Sequence, residues 1–347
     1  MDLVSVVIVN WNGKKFVKDC LDSVLGQTYP ALEVIVIDNG STDGSQEIIR
    51  RNYPSVILIE NEENKGFSRA INQGIAVSKG LYVIPLNIDV VLTPTYISEM
   101  VKAASLEEKI GSVSGKLLRF SDEGRTKVID SVGHTMFENR LVIDRGDGEI
   151  DEGQYDQREY IFGSCAAASL YKREMLEDIK VDLPARQSLG MAGGSARRHG
   201  GGYFDEAFFA FLEDVDLNWR AQLLGWKCIY TPSAVAYHYR GGIAVRRTKL
   251  VEIHNYKNRY LMILKNDSLA SILKNLHHFL ITDTLKTGAL LFRCPAALLG
   301  WIDILRELPR TFAKRRIIQK NRKVSQAEIE KWFQKFDYKA WIRRHLW

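Results

Sequence analysis

Along the first ninety residues, short unbroken apolar runs alternate with stretches in which apolar positions recur every three or four residues. "LVSVVIV" (3–9), "EVIVI" (33–37), "VILIE" (56–60) and "LYVIPLN" (81–87) are β-branched and bounded by Gly, Asn or Pro, which predicts four strands buried on both faces. Segments 14–25, 44–51 and 66–78 between them have helical spacing. Strand-helix alternation of this kind predicts an α/β chain with a Rossmann-like, doubly wound, mostly parallel sheet. Pro85 is awkward in the fourth strand, because it cannot donate to a ladder.

After about residue 110 the pattern becomes irregular. Residues 124–146 read as strand pairs, and 187–203 are rich in Gly and Arg. A helix is predicted at about 215–224, with Leu217, Ala221 and Leu224 as its apolar stripe and Gly225 to end it. From about 250 the chain is helical and basic. The expected units are 1–115 and 116–245, two halves of one α/β domain, and 246–347, a helical extension.

Composition changes this picture little: 46% hydrophobic and 26% charged residues describe an ordinary globular chain. Cys20, Cys165, Cys228 and Cys294 are too far apart for a zinc site, which suggests reduced thiols and a cytoplasmic chain. Met1 and Asp2 lead straight into the first strand, with no signal-peptide pattern. The longest hydrophobic region, 278–305, is interrupted by Asp283, Lys286, Arg293 and Pro295, so a spanning helix is not expected. Charge is uneven. Residues 310–347 hold 12 Lys or Arg against 3 acids, a local +9 that leaves the preceding 309 residues at −3. The body therefore does not suit nucleic acid, while the tail suits an anionic membrane surface or packing against protein, including a second copy.

Ligands of an open parallel sheet bind at the carboxyl ends of its strands. There the sequence places Asn10 and Asn12, then Asp38 in "IDNGSTDGS", where a carboxylate can accept from a nucleobase or ribose or form a buried ion pair. Asp43 reads as the cap of the next helix, with Gln46 completing a capping box. In "NKGFSRAINQG", Gly66 allows close approach of a ligand, and Arg69 and Asn72 share a helix face. "PLNIDVV" ends the fourth strand: in extended chain Asn87 and Asp89 point one way and Ile88 into the core. Asp89 suits a hard divalent cation that leaves part of its shell to phosphates, although Asn-x-Asp is also a common turn. In "FDEAFFAFLEDVDLNW", aromatic residues run into Glu213 and Asp214 at a helix start. Acids favour that position anyway, and crowding two of them raises one pKa toward the range of a general base. His238, after a further short strand, is either structural or a ligand.

Taken in order, "SVVIVNWNG", "VIVIDNGSTDGS", "NKGFSRAINQG", "LNIDVVL", "GSCAAASLYKREML" and "FLEDVDLNWRAQLLGW" resemble an inverting glycosyltransferase of family 2, with the GT-A fold, over residues 3–245. The similarity is greatest to rhamnosyltransferase-like members that build surface polysaccharide. The resemblance implies a nucleoside-diphosphate sugar donor, rhamnose among the candidates, and a glycan or lipid-linked acceptor. It implies that Asp38 contacts the base and that Asn10, Asn12, Arg69 and Asn87 line the donor site. Asp89 and His238 would hold Mg2+ or Mn2+, Asp214 would be the catalytic base and Glu213 its partner. Asn87 departs from the Asp of many relatives. The resemblance places such an enzyme in the cytoplasm or on the inner face of the cell membrane. Two other readings stay open: a sugar-nucleotide nucleotidyltransferase, whose Gly-rich phosphate loop "NWNGKK" lacks, and a non-catalytic glycan- or nucleotide-binding scaffold.

Overall fold

A computed structural model describes residues 1–183, 202–239 and 249–339. Most of the Gly- and Arg-rich segment, the 245/246 boundary and the last eight residues of the basic tail lie outside them. The opening alternation forms as β1 (Val4–Asn10), α1 (Val17–Leu25), β2 (Leu32–Asp38), α2 (Ser45–Asn52), β3 (Ile57–Glu60), α3 (Phe67–Val77) and β4 (Tyr82–Asn87). The four strands lie parallel in the order β3-β2-β1-β4. Their side chains divide by parity, as the pleat requires. Val4, Val6 and Ile8 pack with Val17, Cys20 and Leu21 of α1. Val7, Ile35 and Ile37 pack with Ala70, Ile71 and Ile75 of α3 on the opposite face.

The chain continues through β5 (Val90–Leu92), α4 (Tyr96–Ala104), β6 (Ile110–Ser121), β7 (Gly124–Ser131), β8 (His134–Phe137), β9 (Val142–Asp144), β10 (Glu159–Ile161), β11 (Leu170–Lys172) and α5 (Arg173–Ile179). Then come α6 (Glu213–Leu223) and β12 (Lys227–His238). One ten-stranded sheet runs β10-β12-β6-β11-β4-β1-β2-β3, with β5 on β12 and β7 on β6. β11 is antiparallel to both β4 and β6, so one short reversed strand joins the parallel block to the later strands. That explains Pro85. Asn87 N–H points to the β11 side, toward Ala167 O at 3.0 Å, so position 85 faces the same side, beyond Tyr82 and Val83 where pairing with β11 stops.

Two expectations are corrected here. The strand before His238 is twelve residues long, with a register shift between Tyr230 and Val235 that accommodates Pro232. Helix α6 is not striped but buried nearly all round, because helices beyond residue 249 cover its second side. These are α7 (Lys249–Asn266), α8 (Leu269–Lys274), α9 (Leu276–Arg293), α10 (Gly300–Asn321) and α11 (Gln326–Glu330). Trp219 and Leu223 of α6 pack with Leu261, Met262, Ile304 and Ile318 in one core. Lys265 bridges Asp216 of α6 and Asp205, satisfying charges that burial alone would forbid. Strand β13 (Phe333–Gln334) completes a small sheet with β8 and β9. Among the described residues no helix is long and apolar enough to cross a membrane.

Candidate active site

At the carboxyl end of the parallel strands, Asn10 and Asp38 are register partners, both fully buried. Asp38 accepts hydrogen bonds from Asn10 Nδ2 (2.6 Å), Ser41 Oγ (2.7 Å), Ser41 N–H (2.9 Å) and Gln46 Nε2 (3.0 Å). Four neutral donors thus replace the buried ion pair that was the alternative, and they fix the loop after β2. Asn12, at φ +51°, accepts from Thr42 N–H at 2.8 Å and ties the β1 loop to the β2 loop. Asp43 accepts from Ser45 N–H and from Lys14 N–H, but Gly44 occupies the N-cap position of α2, and Gln46 turns to Asp38 and Ser41 O, so no capping box forms.

The space beside Gly66 belongs to the protein rather than to a ligand. Gly66 has φ +82°, and a Cβ there would lie 2.5 Å from the Phe209 ring. Asn72 exchanges two hydrogen bonds with the backbone of Phe204. Arg69, on the same helix face, lines a cavity of about 250 Å³ with Lys65, Asp205, Glu206, Arg310 and Lys314. A different cavity, about 190 Å³, lies against Asp89, Lys15, Phe16, Ile88 and Tyr239. The structure therefore does not bring Arg69 and Asp89 to one cavity.

β4 stops at Asn87, and Ile88 and Asp89 form a turn into β5, so Asn87 and Asp89 do not share a strand face as extended chain would have it. Turn and site coincide. Ile88 enters the core, Asn87 stays partly exposed, and Asp89 is carried to the end of β12. There His238 Nε2 lies 3.3 Å from Asp89 Oδ1, and His238 Nδ1 lies 2.7 Å from Asp130 Oδ2. Burial alone would lower the His238 pKa, but Asp89 and Asp130 override it and raise it to about 10. Once a cation displaces the imidazolium proton, an imidazole held by a carboxylate on one nitrogen and facing a second carboxylate with the other is a donor set for a divalent ion. Two ligands of one Mg2+ stand about 3 Å apart at its usual bond lengths, so the pair fits such an ion.

Glu213 and Asp214 open α6 at the end of a strained approach. Phe209, Phe211 and Leu212 have φ of +61°, +71° and +63°, a region that costs non-glycine residues of order 1–3 kcal/mol each. Asn258 of α7, fully buried, holds this loop by donating Nδ2 to Phe208 O, Ala210 O and Phe211 O at 2.7–2.9 Å. Glu213 is buried, its Oε2 has no partner among the described residues, and burial followed by repulsion from Asp214 pushes its pKa up to about 8. Asp214 keeps Oδ2 on Ala166 N–H at 3.0 Å and lies 3.6 Å from His134 Nε2. Cys165 Sγ completes a group with His134 and Asp214 whose ligand atoms lie within 4.8 Å of one another. Burial, then Asp144 and Asp214, push the Cys165 thiol well up, which sets it against thiolate chemistry.

Segment 163–168 connects the two clusters: Ala167 O accepts from Asn87 N–H, Ala166 N–H donates to Asp214, and Gly163 O accepts from His134 N–H. Sequence reasoning missed Asp130, His134 and Asn258. The first two lie in "VIDSVGHTMF", read only as strand pairing, and Asn258 is one polar residue in a long helix.

Comparison with known proteins fits this arrangement. A family model described as "Glycosyl transferase family 2" matches residues 5–180. An N-acetylglucosaminyl-diphospho-decaprenol L-rhamnosyltransferase of Mycobacterium tuberculosis is 28% identical over 284 residues, 77% of this chain and 86% of that protein. Among solved structures, S. aureus TarS 1–349 aligns over 95% of this chain and 89% of its own, with TM-score 0.53 and 16% identity. A mannosyltransferase from Pyrobaculum calidifontis, in complex with GDP-Man and Mn2+, aligns over 92% of this chain and 87% of its own, with TM-score 0.50 and 18% identity. The ten-stranded, mainly parallel sheet is thus that of the GT-A glycosyltransferases.

Proposed function

Because the chain belongs to glycosyl transferase family 2 and is a glycosyltransferase, we propose that it transfers a sugar with inversion from a nucleoside-diphosphate sugar to a hydroxyl of a lipid-linked glycan in the assembly of cell-surface polysaccharide. Rhamnose is the sugar favoured by the mycobacterial relative, whose name also motivates the lipid diphosphate acceptor. Residues 1–115 receive the donor, with Asn10, Asn12 and Asp38 shaping the nucleotide loops, Asn87 on the phosphate side and Arg69 in the separate cavity toward α10. Residues 116–245 present the acceptor. Residues 246–347 brace α6 and carry the contact with an anionic membrane surface on the inner face of the cell membrane.

Asp89 and His238 would hold Mg2+ or Mn2+, with Asp130 orienting the imidazole. When bound, the cation supplies Lewis-acid stabilisation of diphosphate charge. Asp214 takes the proton of the acceptor hydroxyl, whose oxygen attacks the anomeric carbon from the face opposite the leaving nucleoside diphosphate, in one displacement. Glu213, neutral near pH 7, adds no second charge beside that base and keeps it from being repelled. The observation that carries this reading is segment 163–168, which binds Asn87 on one side and Asp214 on the other. A leaving-group station and a base station on one short link suit a single displacement.

Asp214→Asn is the test. Transfer is expected to fall by about 10²–10⁴-fold, the usual share of a general base, while metal-dependent nucleotide binding persists. Transfer at an unchanged rate would remove Asp214 from the mechanism.

A further inference from the structure

Helix α10 turns one face to solvent, anchored at its start by Trp301, whose indole N–H donates to the Tyr256 hydroxyl at 3.0 Å and whose ring packs on Tyr260. Trp301, Ile302, Leu305 and Phe312 are 43, 47, 62 and 46% exposed, and Arg316 and Lys320 continue the stripe at three- and four-residue spacing. Its two acids lie off the stripe, toward the side of the helix that faces the fold, each tied to a cation three residues on: Asp303 to Arg306 and Glu307 to Arg310, both at 3.4 Å. Arg316 and Lys320 have no ion pair among the described residues. The other side of the helix is fixed in the fold, with Ile304 and Ile318 buried against α6 and α7. The stripe is therefore amphiphilic along its length as well, apolar over its first three turns and cationic over its last two.

We propose that this face docks on the surface of an anionic lipid bilayer, with α10 lying in the plane of the interface. Ile302, Leu305 and Phe312 reach the acyl boundary, with Trp301 held beside them by Tyr256 and Tyr260, and Arg316 and Lys320 meet lipid phosphates. The inference deepens the lipid-linked acceptor reading and rests on it for its purpose: docking holds the acceptor-binding half against the surface that carries the substrate.

A second copy of the chain fits this face poorly. In an antiparallel self-contact, Arg316 and Lys320 would be desolvated against Trp301 and Ile302 with no carboxylate to meet them. In a parallel one, the same cations would oppose each other. An anionic bilayer satisfies both ends of the stripe at once.

Vesicle flotation of the full chain tests the proposal, with phosphatidylcholine vesicles containing or lacking phosphatidylglycerol. Wild type is expected to float only with the anionic vesicles and to be released by salt. Arg316→Gln with Lys320→Gln should weaken binding about 25-fold, since each cation near such a surface contributes roughly a factor of five. Leu305→Glu with Phe312→Glu should abolish it, with unchanged unfolding midpoint and unchanged metal-dependent nucleotide binding. Absence of flotation in wild type, equal flotation of all variants, or loss of a dimer as the sole effect of Leu305→Glu with Phe312→Glu would each overturn the docking. Transfer to a water-soluble short-chain acceptor separates the two proposals. Transfer without flotation refutes docking alone, and flotation without transfer to any lipid diphosphate refutes the function alone.

Discussion

Replacing Glu213 with Gln should change how stability depends on pH, and the size of the effect follows from its burial. The carboxyl titrates at about 8 in the fold against 4.5 for an ordinary glutamate. Between those values the folded protein keeps a proton that the unfolded chain has released, so stability falls as pH rises. At 1.36 kcal/mol per tenfold difference in proton affinity, the penalty is roughly 1 kcal/mol at pH 5 and roughly 4 kcal/mol at pH 8. Glu213→Gln carries no such penalty, because its amide stays neutral throughout. Urea unfolding followed by tryptophan fluorescence, for both proteins at pH 5, 6.5 and 8, reads the Glu213 term together with its coupling to Asp214, since titrating groups remote from the pair cancel in the difference. The variant should gain about 3 kcal/mol over wild type between pH 5 and pH 8. Parallel stability curves for the two proteins would show that Glu213 titrates as an ordinary surface carboxyl, and the argument for a single charge at the start of α6 would fail.

Further outcomes follow from contacts in the same region. Asn258→Ala releases three carbonyls of the left-handed loop before Glu213; kcat should drop at least about tenfold at unchanged donor KM, and an unchanged kcat would leave Asn258 a structural residue only. Gly66→Ala forces a Cβ against the Phe209 ring at φ +82° and should cost about 1–3 kcal/mol in urea unfolding. Asp38→Ala removes the acceptor of three buried donors, on Asn10 and Ser41, and of the half-buried Gln46 amide and should cost roughly 2–3 kcal/mol; a stability equal to wild type would contradict the hydrogen-bond assignment. Asp89→Ala should remove the thermal shift that manganese adds to nucleoside diphosphate binding, and Asn87→Ala should reduce it less; equal losses would make Asn87 a ligand.

What could be read from the sequence was whatever a local pattern determines. The strands β1, β2 and β4 announced themselves because a strand buried in a sheet must be apolar with little interruption, and helices α1 to α3 because each buries one stripe; β3 forms too, but as an edge strand with no buried residue, not the doubly covered strand its apolar run predicts. The same reasoning misjudged α6, since a stripe of Leu217, Ala221 and Leu224 cannot reveal that Trp219 and Leu223 meet helices beyond residue 249. It shortened β12, because Pro232 looks like a stop until the register shift around it is known. Gly66 was assigned to a ligand since a glycine reports that something comes close, without reporting what does.

The site divides along the same line. Asp89, Glu213 and Asp214 could be named as candidates because each sits at the end of an element, where a charged side chain is open to a role beyond packing. Asp130, His134 and Asn258 could not, because each lies within or beside a regular element and acquires its meaning from a residue far away in the chain. These three residues set the geometry: Asp130 fixes one nitrogen of His238, His134 stands against Asp214, and Asn258 holds the strained turn that aims both carboxylates. A side chain that carries charge at a strand or helix end can be found by pattern, whereas one that holds another side chain in place exists as such only after folding. Since a displacement of about 1 Å at the reacting groups can cost about a hundredfold in rate, the proposed mechanism makes the residues invisible to the sequence as consequential as the carboxylates they support.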